Sequence, residues 1–453
     1  MVKTNKLSPF QKFIQIESFS GILLLVTTII ALIWANSPWG EGYSDLWQLK
    51  IGFTSSFFEL EKPLILWIND GLMAIFFFLI GLEIKRELLI GELNSVKKMV
   101  FPLVGAIGGM AIPVLFYILL NENPETYKGW GIPMATDIAF SLAILNLLGN
   151  RVPLSLKIFL TAFAIVDDIG AVLAIAIFYS NDIDLIMLAG AFVLLGILYT
   201  LSYKGFYSKF LLVTFGIFIW TLFLKSGIHP TLAGILLAFS VPVQQKIMTP
   251  AFIDNLASIL EKIKNAKRLD TPVLSQEQIA HIDDLENWTD SYQSPLQHLE
   301  HGLHNWVAYF IIPVFALANA GVLLTGDMTL DTAMIITLVI CLVIGKGLGI
   351  TTIVFLAHKL KIIDMPKDLR PQHIVGVAFL AGIGFTMSIF IGSLAFVDSP
   401  LYIDSAKIGI LIGSFISAII GYTVLRFTKK SDAILPDWET ILKEKPEYKK
   451  TIL

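Results

Sequence analysis

Charge is what this 453-residue chain has least of. Asp, Glu, Lys and Arg make up 15% of it, against about 25% in an ordinary soluble domain, and 55% of it is hydrophobic. That excludes a water-soluble globule and leaves a chain that crosses a membrane many times. Cysteine is nearly missing. The one present, Cys341, lies inside an apolar run, so no intrachain disulfide can form and a small core residue is the expected role. There is no basic tract, which excludes nucleic acid as a partner, and the net charge of −3 says little because the charges are sorted by loop. No small-residue cleavage site follows the first apolar run, Trp34-Ala-Asn-Ser-Pro-Trp39 being a poor one, so the first helix is expected to be retained.

What is present is apolar sequence in long runs. Twelve of them fall between Ile16 and Phe427. Most have the roughly 20 residues a helix needs to span a bilayer; Phe210–Leu224 and Ile228–Val241 are short. The expected fold is an all-α polytopic membrane protein of twelve transmembrane helices. Orientation follows from the basic residues. With a cytoplasmic N-terminus, the loops and tails outside the cell hold only Lys50, Lys62, Lys128, Lys225 and Lys407, Lys346 is intramembrane, and the rest of the 33 Lys and Arg are cytoplasmic. The expected organisation is a cytoplasmic N-terminus (1–15), a membrane domain (16–428) and a cytoplasmic tail (429–453).

Two connections stand out. In the outer loop 39–62, apolar residues alternate over Trp47-Gln-Leu-Lys-Ile-Gly-Phe53, which reads either as a strand forming half of a β-hairpin or as an irregular loop with interfacial aromatics. The cytoplasmic insertion 244–297 is long enough to require structure of its own. Thr249 as cap and Pro250 as first residue can start a helix, Phe252, Leu256, Ile259 and Ile263 repeat at helical spacing, and Ser275 with Gln278 can form a capping box ahead of Ile279, Ile282 and Leu285. One or two amphipathic helices on the cytoplasmic face are expected, as a solvated cover.

Against this apolar background five ionisable residues lie at membrane depth: Asp70, Asp137, Asp167, Asp168 and Lys346. A charged side chain there costs at least ~3 kcal/mol, so two adjacent aspartates in one span point to use. Side chains of neighbouring helix residues diverge by about 100°, so one can face a cavity while the other meets a neighbouring helix. Small-cation binding and proton carriage are the two evident tasks. A buried lysine in the same chain invites pairing with a carboxylate. Two spans look interrupted: one at Gly131-Ile-Pro133 just before Thr136-Asp137, the other at Gly382-Ile-Gly384-Phe385-Thr386-Met-Ser388, which puts two glycines and two hydroxyls mid-span. Unwound backbone at membrane depth is tolerated only where it lines a cavity or is covered by protein, and paired interruptions point to a transporter's midplane site. A membrane aspartyl protease takes its aspartates from separate helices, one in Gly-x-Gly-Asp; here they are adjacent and that sequence is absent. An organic-anion symporter would want arginine at mid-span, and none is there. A passive channel gives no reason for Lys346.

Ala135-Thr-Asp-Ile-Ala-Phe140, Val166-Asp-Asp-Ile-Gly170, Leu299-Glu-His-Gly-Leu-His304, Ile344-Gly-Lys346, Gly382-Ile-Gly-Phe-Thr-Met-Ser-Ile-Phe-Ile391 and the stretch Asn69–Glu87 together resemble the NhaA-type bacterial sodium/proton antiporters, over about Ser18 to Phe427. Inverted repeats with broken helices are a feature for which that family is itself a standard example. The resemblance implies two unwound, crossing helices, with Gly382, Gly384, Phe385 and Thr386 in one of them. It implies a pH-regulated, electrogenic sodium (or lithium)/proton antiporter in the bacterial inner membrane, needing no cofactor and acting as a secondary transporter rather than an enzyme. Asp168 resembles the main sodium ligand and proton carrier, and Asp167 the partner that pairs with Lys346 when no sodium is bound. Thr136 and Asp137 lie at the crossing, where Asp137 offsets helix-end charge and can help ligate the ion. Glu83, Lys85, Arg86, Glu87, Glu300, His301 and His304 map onto the family's pH-sensing cluster, and His229 onto a residue affecting pH response. Homodimers are implied, with the outer loop as the contact.

On the residues alone, plainer roles stay open: Asp137 as a helix cap, Asp70 as a solvated interfacial acid, Glu83 to Glu87 as an ordinary helix end, His229 as a loop histidine, Thr136 as a backbone partner. The chain departs from the family pattern in having Gly347 where proline follows the lysine, and in the length of the 244–297 insertion.

Overall fold

The structure is a computed structural model that describes residues 9–55, 58–91, 93–180, 183–245, 247–266, 273–323, 330–366 and 368–429. Residues 1–8 of the expected N-terminal stretch and 430–453 of the expected tail lie outside the described residues, as do Lys246, Lys267, Arg268 and Lys367 of the charge argument.

Helices carry almost all of the structure, as they must where lipid offers the backbone no hydrogen bonds. Among the described residues, seven helices are long and apolar enough to cross a membrane, or up to ten if each of three bent pairs is one span. The protein is a multi-pass helical membrane protein. The two short runs of the sequence give Lys209–Lys225, of 17 residues, and Thr231–Phe239, of nine. Nine residues of helix reach only about 14 Å, half of the hydrocarbon thickness.

The chain divides into two compact units. The first comprises Met1–Ile22, Lys97–Ala171 and Asp327–Leu453. Its through-going helices include Leu154–Phe178, Thr332–Lys359 and Pro400–Phe427. Among them stand two broken spans, Pro124–Met134 with Ile138–Leu147, bent by 48°, and Pro371–Leu380 with Phe385–Ala395, bent by 44°. In the first, the 3₁₀ helix that contains Pro133 ends at Met134, Ala135 and Asp137 are extended, and the α-helix starts at Ile138. In the second the break is Ala381–Gly384. Phe385 and Thr386, counted with the unwound stretch from sequence, are instead the first turn of a helix. Gly384 has an ordinary φ of −90°, and what demands glycine at 382 is space. A Cβ on Gly382 would meet the Leu342 carbonyl oxygen and Ser417 Oγ. Small residues also set the packing of Val96–Leu120 on Lys346–Lys359, where a Cβ on Gly108 would meet the Gly349 carbonyl and one on Gly349 the Gly108 carbonyl.

The second unit comprises Leu23–Val96 and Val172–Gly326. Two of its spans contain a π-helical turn: Leu64–Leu89 at Trp67–Leu72 and Pro295–Asn319 at Val307–Ile311. Lys50–Ser55 and Phe58–Pro63 pair as an antiparallel hairpin in which Lys50 faces Pro63. The alternation that starts at Trp47 is partly helical: Gly40–Gln48 is an amphipathic helix that buries Trp47, and the strand begins only at Lys50. Within 244–297 two helices form, Thr249–Asn265 and Gln276–Tyr292. They pack through stacked Phe252 and Tyr292 rings 4.1 Å apart. The Ser275–Gln278 capping box is present, whereas at the other helix the cap is Met248 and Thr249 is already helical, a one-residue offset.

Candidate functional site

Asp167 and Asp168 lie on Leu154–Phe178 with 0% and 3% of their surface exposed. Lys346, also fully buried, follows a single π-helical turn, Cys341–Gly345, inside Thr332–Lys359. Such a turn inserts a residue into the helical register and so re-aims the side chains after it, which is why π turns recur at functional sites. Lys346 Nζ donates to Asp167 Oδ2 at 2.9 Å and to Thr136 Oγ1 at 2.5 Å. The helix runs on without interruption through Gly347, where a Cβ would strike the Phe379 ring.

The two breaks supply the rest. Thr136 Oγ1, while accepting from Lys346, donates to the Ala381 carbonyl at 2.9 Å. The Asp137 amide donates to the Ile383 carbonyl at 2.7 Å. Its carboxylate caps two helices at once: Oδ1 accepts from the Phe140 amide at 3.0 Å, and Oδ2 from the Thr386 amide at 3.2 Å and the Thr386 hydroxyl at 2.6 Å. Each of those helix N-termini carries about half a positive charge, and the carboxylate sits where both are felt. Lys346 lies on the other side of Thr136, whose hydroxyl is tied to a carbonyl at the C-terminal end of Pro371–Leu380. The aspartate thus meets two helix N-termini directly, whereas the lysine is linked to the negative end only through the Thr136 hydroxyl.

Asp168 has no such partner. Its Oδ1 and the Oδ1 of Asp167 are buried without a hydrogen bond. A buried unsatisfied oxygen costs ~1–3 kcal/mol, more when charged, and such atoms call for a ligand or a proton. Among the described residues no group of three or more His, Cys, Asp or Glu gathers to hold a resident metal ion.

The second unit holds the other sequence candidates in two separate places. Arg86 Nε pairs with Glu300 Oε1 at 2.9 Å and Arg86 Nη1 with Glu87 Oε1 at 2.8 Å, and His304 Nδ1 lies 3.8 Å from Glu83 Oε1. His301 is exposed. Lys85 reaches away from these acids: its Nζ donates to the carbonyls of Phe239 at 2.7 Å and Val241 at 2.5 Å, closing the end of Thr231–Phe239. Elsewhere in that unit, Asp70 sits on the π turn Trp67–Leu72, 2.9 Å from Lys62 Nζ and 3.6 Å from His229 Nε2, while its carbonyl accepts from Trp220 Nε1 at 3.0 Å.

Several residues that shape these sites have partners that no local signal gives. Asn69 and Asn319 exchange reciprocal amide hydrogen bonds at 2.8 and 3.2 Å. Buried Ser141 and Ser388 bond to carbonyls across the breaks. The π turn before Lys346 also escapes a periodicity reading. Ser141 could have been noticed four residues after Asp137, on the same helix face.

The chain matches the model of the family described as Na+/H+ antiporter 1 over residues 11–425. It is 46% identical over 425 residues to a protein of Oleidesulfovibrio alaskensis named Na(+)/H(+) antiporter NhaA, covering 93% of this chain and 94% of the relative. To the protein of Aliarcobacter butzleri named Na(+)/H(+) antiporter NhaA 1 it is 43% identical over 431 residues, 95% of this chain and 99% of the relative. To that of Bacteroides fragilis named Na(+)/H(+) antiporter NhaA it is 42% identical over 429 residues, 93% and 98%. With a family match that runs through every element of the two-break site, the chain belongs to the Na+/H+ antiporter 1 family.

Proposed function

We propose that this protein is a sodium/proton antiporter of the bacterial inner membrane that expels sodium or lithium in exchange for protons, with both termini cytoplasmic and twelve spans. The observation that carries this reading is the buried Lys346–Asp167 pair beside Asp168, with Oδ1 of each aspartate buried without a hydrogen bond. A proton or a small cation can satisfy those oxygens, and neither is bound well while the other is there. Competition at one site becomes exchange when the site opens to one face of the membrane at a time and changes face only when loaded.

Electrogenic exchange follows from the lysine. Sodium drawn to Asp167 and Asp168 displaces Lys346 from its carboxylate, and a buried ammonium that has lost its partner gives up a proton. Asp137, already holding two helix ends, keeps the net charge of the crossing low, and its remaining lone pairs together with Thr136 can complete the ion's ligands. We assign pH regulation to the Arg86–Glu300–Glu87 network with Glu83, His301 and His304, leave Lys85 out of it because its Nζ bonds to the Phe239 and Val241 carbonyls, and give a modulating role to His229, which is coupled to Asp70. The protein acts as a homodimer through the Lys50–Pro63 hairpin. The test is proton efflux from acid-loaded everted vesicles on adding sodium, lithium or potassium across pH. A response to sodium or lithium supports antiport, and silence towards all three cations removes it in favour of an ion-coupled symporter.

A further inference from the structure

Three buried hydroxyls cross the gap between the broken spans, each from one span to the main chain of the other. Thr136 donates to the Ala381 carbonyl at 2.9 Å, Ser141 to the Leu380 carbonyl at 2.9 Å, and Ser388 to the Ile132 carbonyl at 2.7 Å. Ser141 and Ser388 are fully buried. Every carbonyl they reach lies in the last turn of a half-helix or just past it, where helix carbonyls run short of amide partners, although Leu380 also accepts from the Ile383 amide at 3.1 Å. The ties are reciprocal, two running one way and one the other. A serine in a helix usually bonds to the carbonyl of the preceding turn in its own helix. Ser141 and Ser388 forgo that bond for one across the break.

We infer that Ser141 and Ser388 are positioning residues of the ion site. Neither hydrogen-bonds to Asp167, Asp168 or Lys346. They act through Thr136: the ties at Ile132 and Leu380 fix the two breaks against each other, and that registration sets where Thr136 meets both Ala381 and Lys346. Lys346 in turn holds Asp167. Cutting one tie lets a half-helix end drift, and the pre-organisation of the cation's ligands is lost while the carboxylates that carry protons stay in place. This inference rests on the antiport reading.

The test uses the full chain in proteoliposomes, with sodium-driven proton movement measured for wild type, Ser141→Ala, Ser388→Ala and Ser141→Thr. Alanine is smaller than serine, so neither replacement crowds the core, and thermal unfolding of each purified variant reports its folding. Each alanine variant is expected to raise the apparent KM for sodium about fivefold, the effect of one lost hydrogen bond, with maximal rate kept within about twofold. Ser141→Thr, which keeps the hydroxyl, is expected to restore the wild-type KM. The double alanine variant should fall short of the product of the single effects, since both ties register the same two breaks. An unchanged KM in both alanine variants, or a lower melting temperature with lost rate at unchanged KM, overturns the inference while leaving antiport standing. A wild type that moves no protons with sodium overturns antiport, and this inference with it.

Discussion

Lys346 Nζ lies 2.9 Å from Asp167 Oδ2, and both side chains are wholly buried. Two charges at that depth are tolerable only as a pair, because either one alone would pay the full cost of desolvation. The pair is therefore both a stabilising contact and a latch, and the two aspects can be measured apart.

Lys346→Met and Asp167→Asn, taken singly, each leave a buried charge without its partner. Each is expected to destabilise the protein by about 3–5 kcal/mol, whereas the double variant, which removes both charges, should recover most of that loss. Thermal unfolding in detergent checks it. Equal losses that simply add in the double variant would show that the pair is not coupled in folding.

Asp137 caps two half-helices with one carboxylate. Asp137→Ala is expected to cost about 2 kcal/mol, the loss of two caps, and Asp137→Asn less, because its amide oxygen can still accept one of the two. Thr386→Val, which removes only the hydroxyl that donates to Asp137, should cost about 1 kcal/mol. The order Ala, then Asn, in falling severity is the outcome to look for in the melting temperatures; equal values would mean the carboxylate caps neither helix in the membrane.

A side chain at Gly382 has nowhere to go. Gly382→Ala places a methyl against the Leu342 carbonyl and Ser417 Oγ, and should destabilise by about 1–3 kcal/mol. Gly71→Ala is the control. Nothing lies within 4 Å of its Cβ, so the change should be neutral or gain a few tenths of a kcal/mol by stiffening the unfolded chain. Folded yield from membranes and thermal unfolding separate the two.

Lys85 and Glu300 are near neighbours of Arg86 along the chain or across the unit, yet they do different things. Glu300→Gln removes the charge that faces Arg86, and is expected to move the pH of half-maximal transport. Lys85→Met removes the donor that closes two carbonyls after Thr231–Phe239, and is expected to lower stability by about 1–2 kcal/mol with the pH midpoint unchanged. A shift of the midpoint with Lys85→Met and none with Glu300→Gln would contradict this division.

How far the sequence reaches can be judged residue by residue. Asp167, Asp168 and Lys346 are visible because charge is rare in apolar runs, and Asp137 because it follows an interruption at Pro133. Their pairing is less so: nothing in the spacing chooses Asp167 over Asp168 as the partner of Lys346, a choice made by the register of Leu154–Phe178 and by the π turn before the lysine. The strand expected from Trp47 starts at Lys50 because Trp47 buries its ring from a helix, and two-residue alternation looks the same at the end of a short amphipathic helix. Phe385 and Thr386 read as unwound because glycines precede them, but the capping bonds from Thr386 to Asp137 start a helix there. Ser388 is visible as a hydroxyl beside the second break and Ser141 by its spacing from Asp137, but their carbonyl partners across the breaks are not, since a serine in an apolar helix normally bonds within it.

The measurement that bears most directly on the central claim is sodium-driven proton efflux from acid-loaded everted vesicles carrying wild type or Asp168→Asn. Asparagine keeps the size of Asp168 but cannot carry the negative charge that sodium and the proton compete for. The account predicts alkalinisation by sodium or lithium in the wild type and its loss in Asp168→Asn, with the variant protein still present in the membrane. Full sodium-dependent proton flux in Asp168→Asn would contradict it.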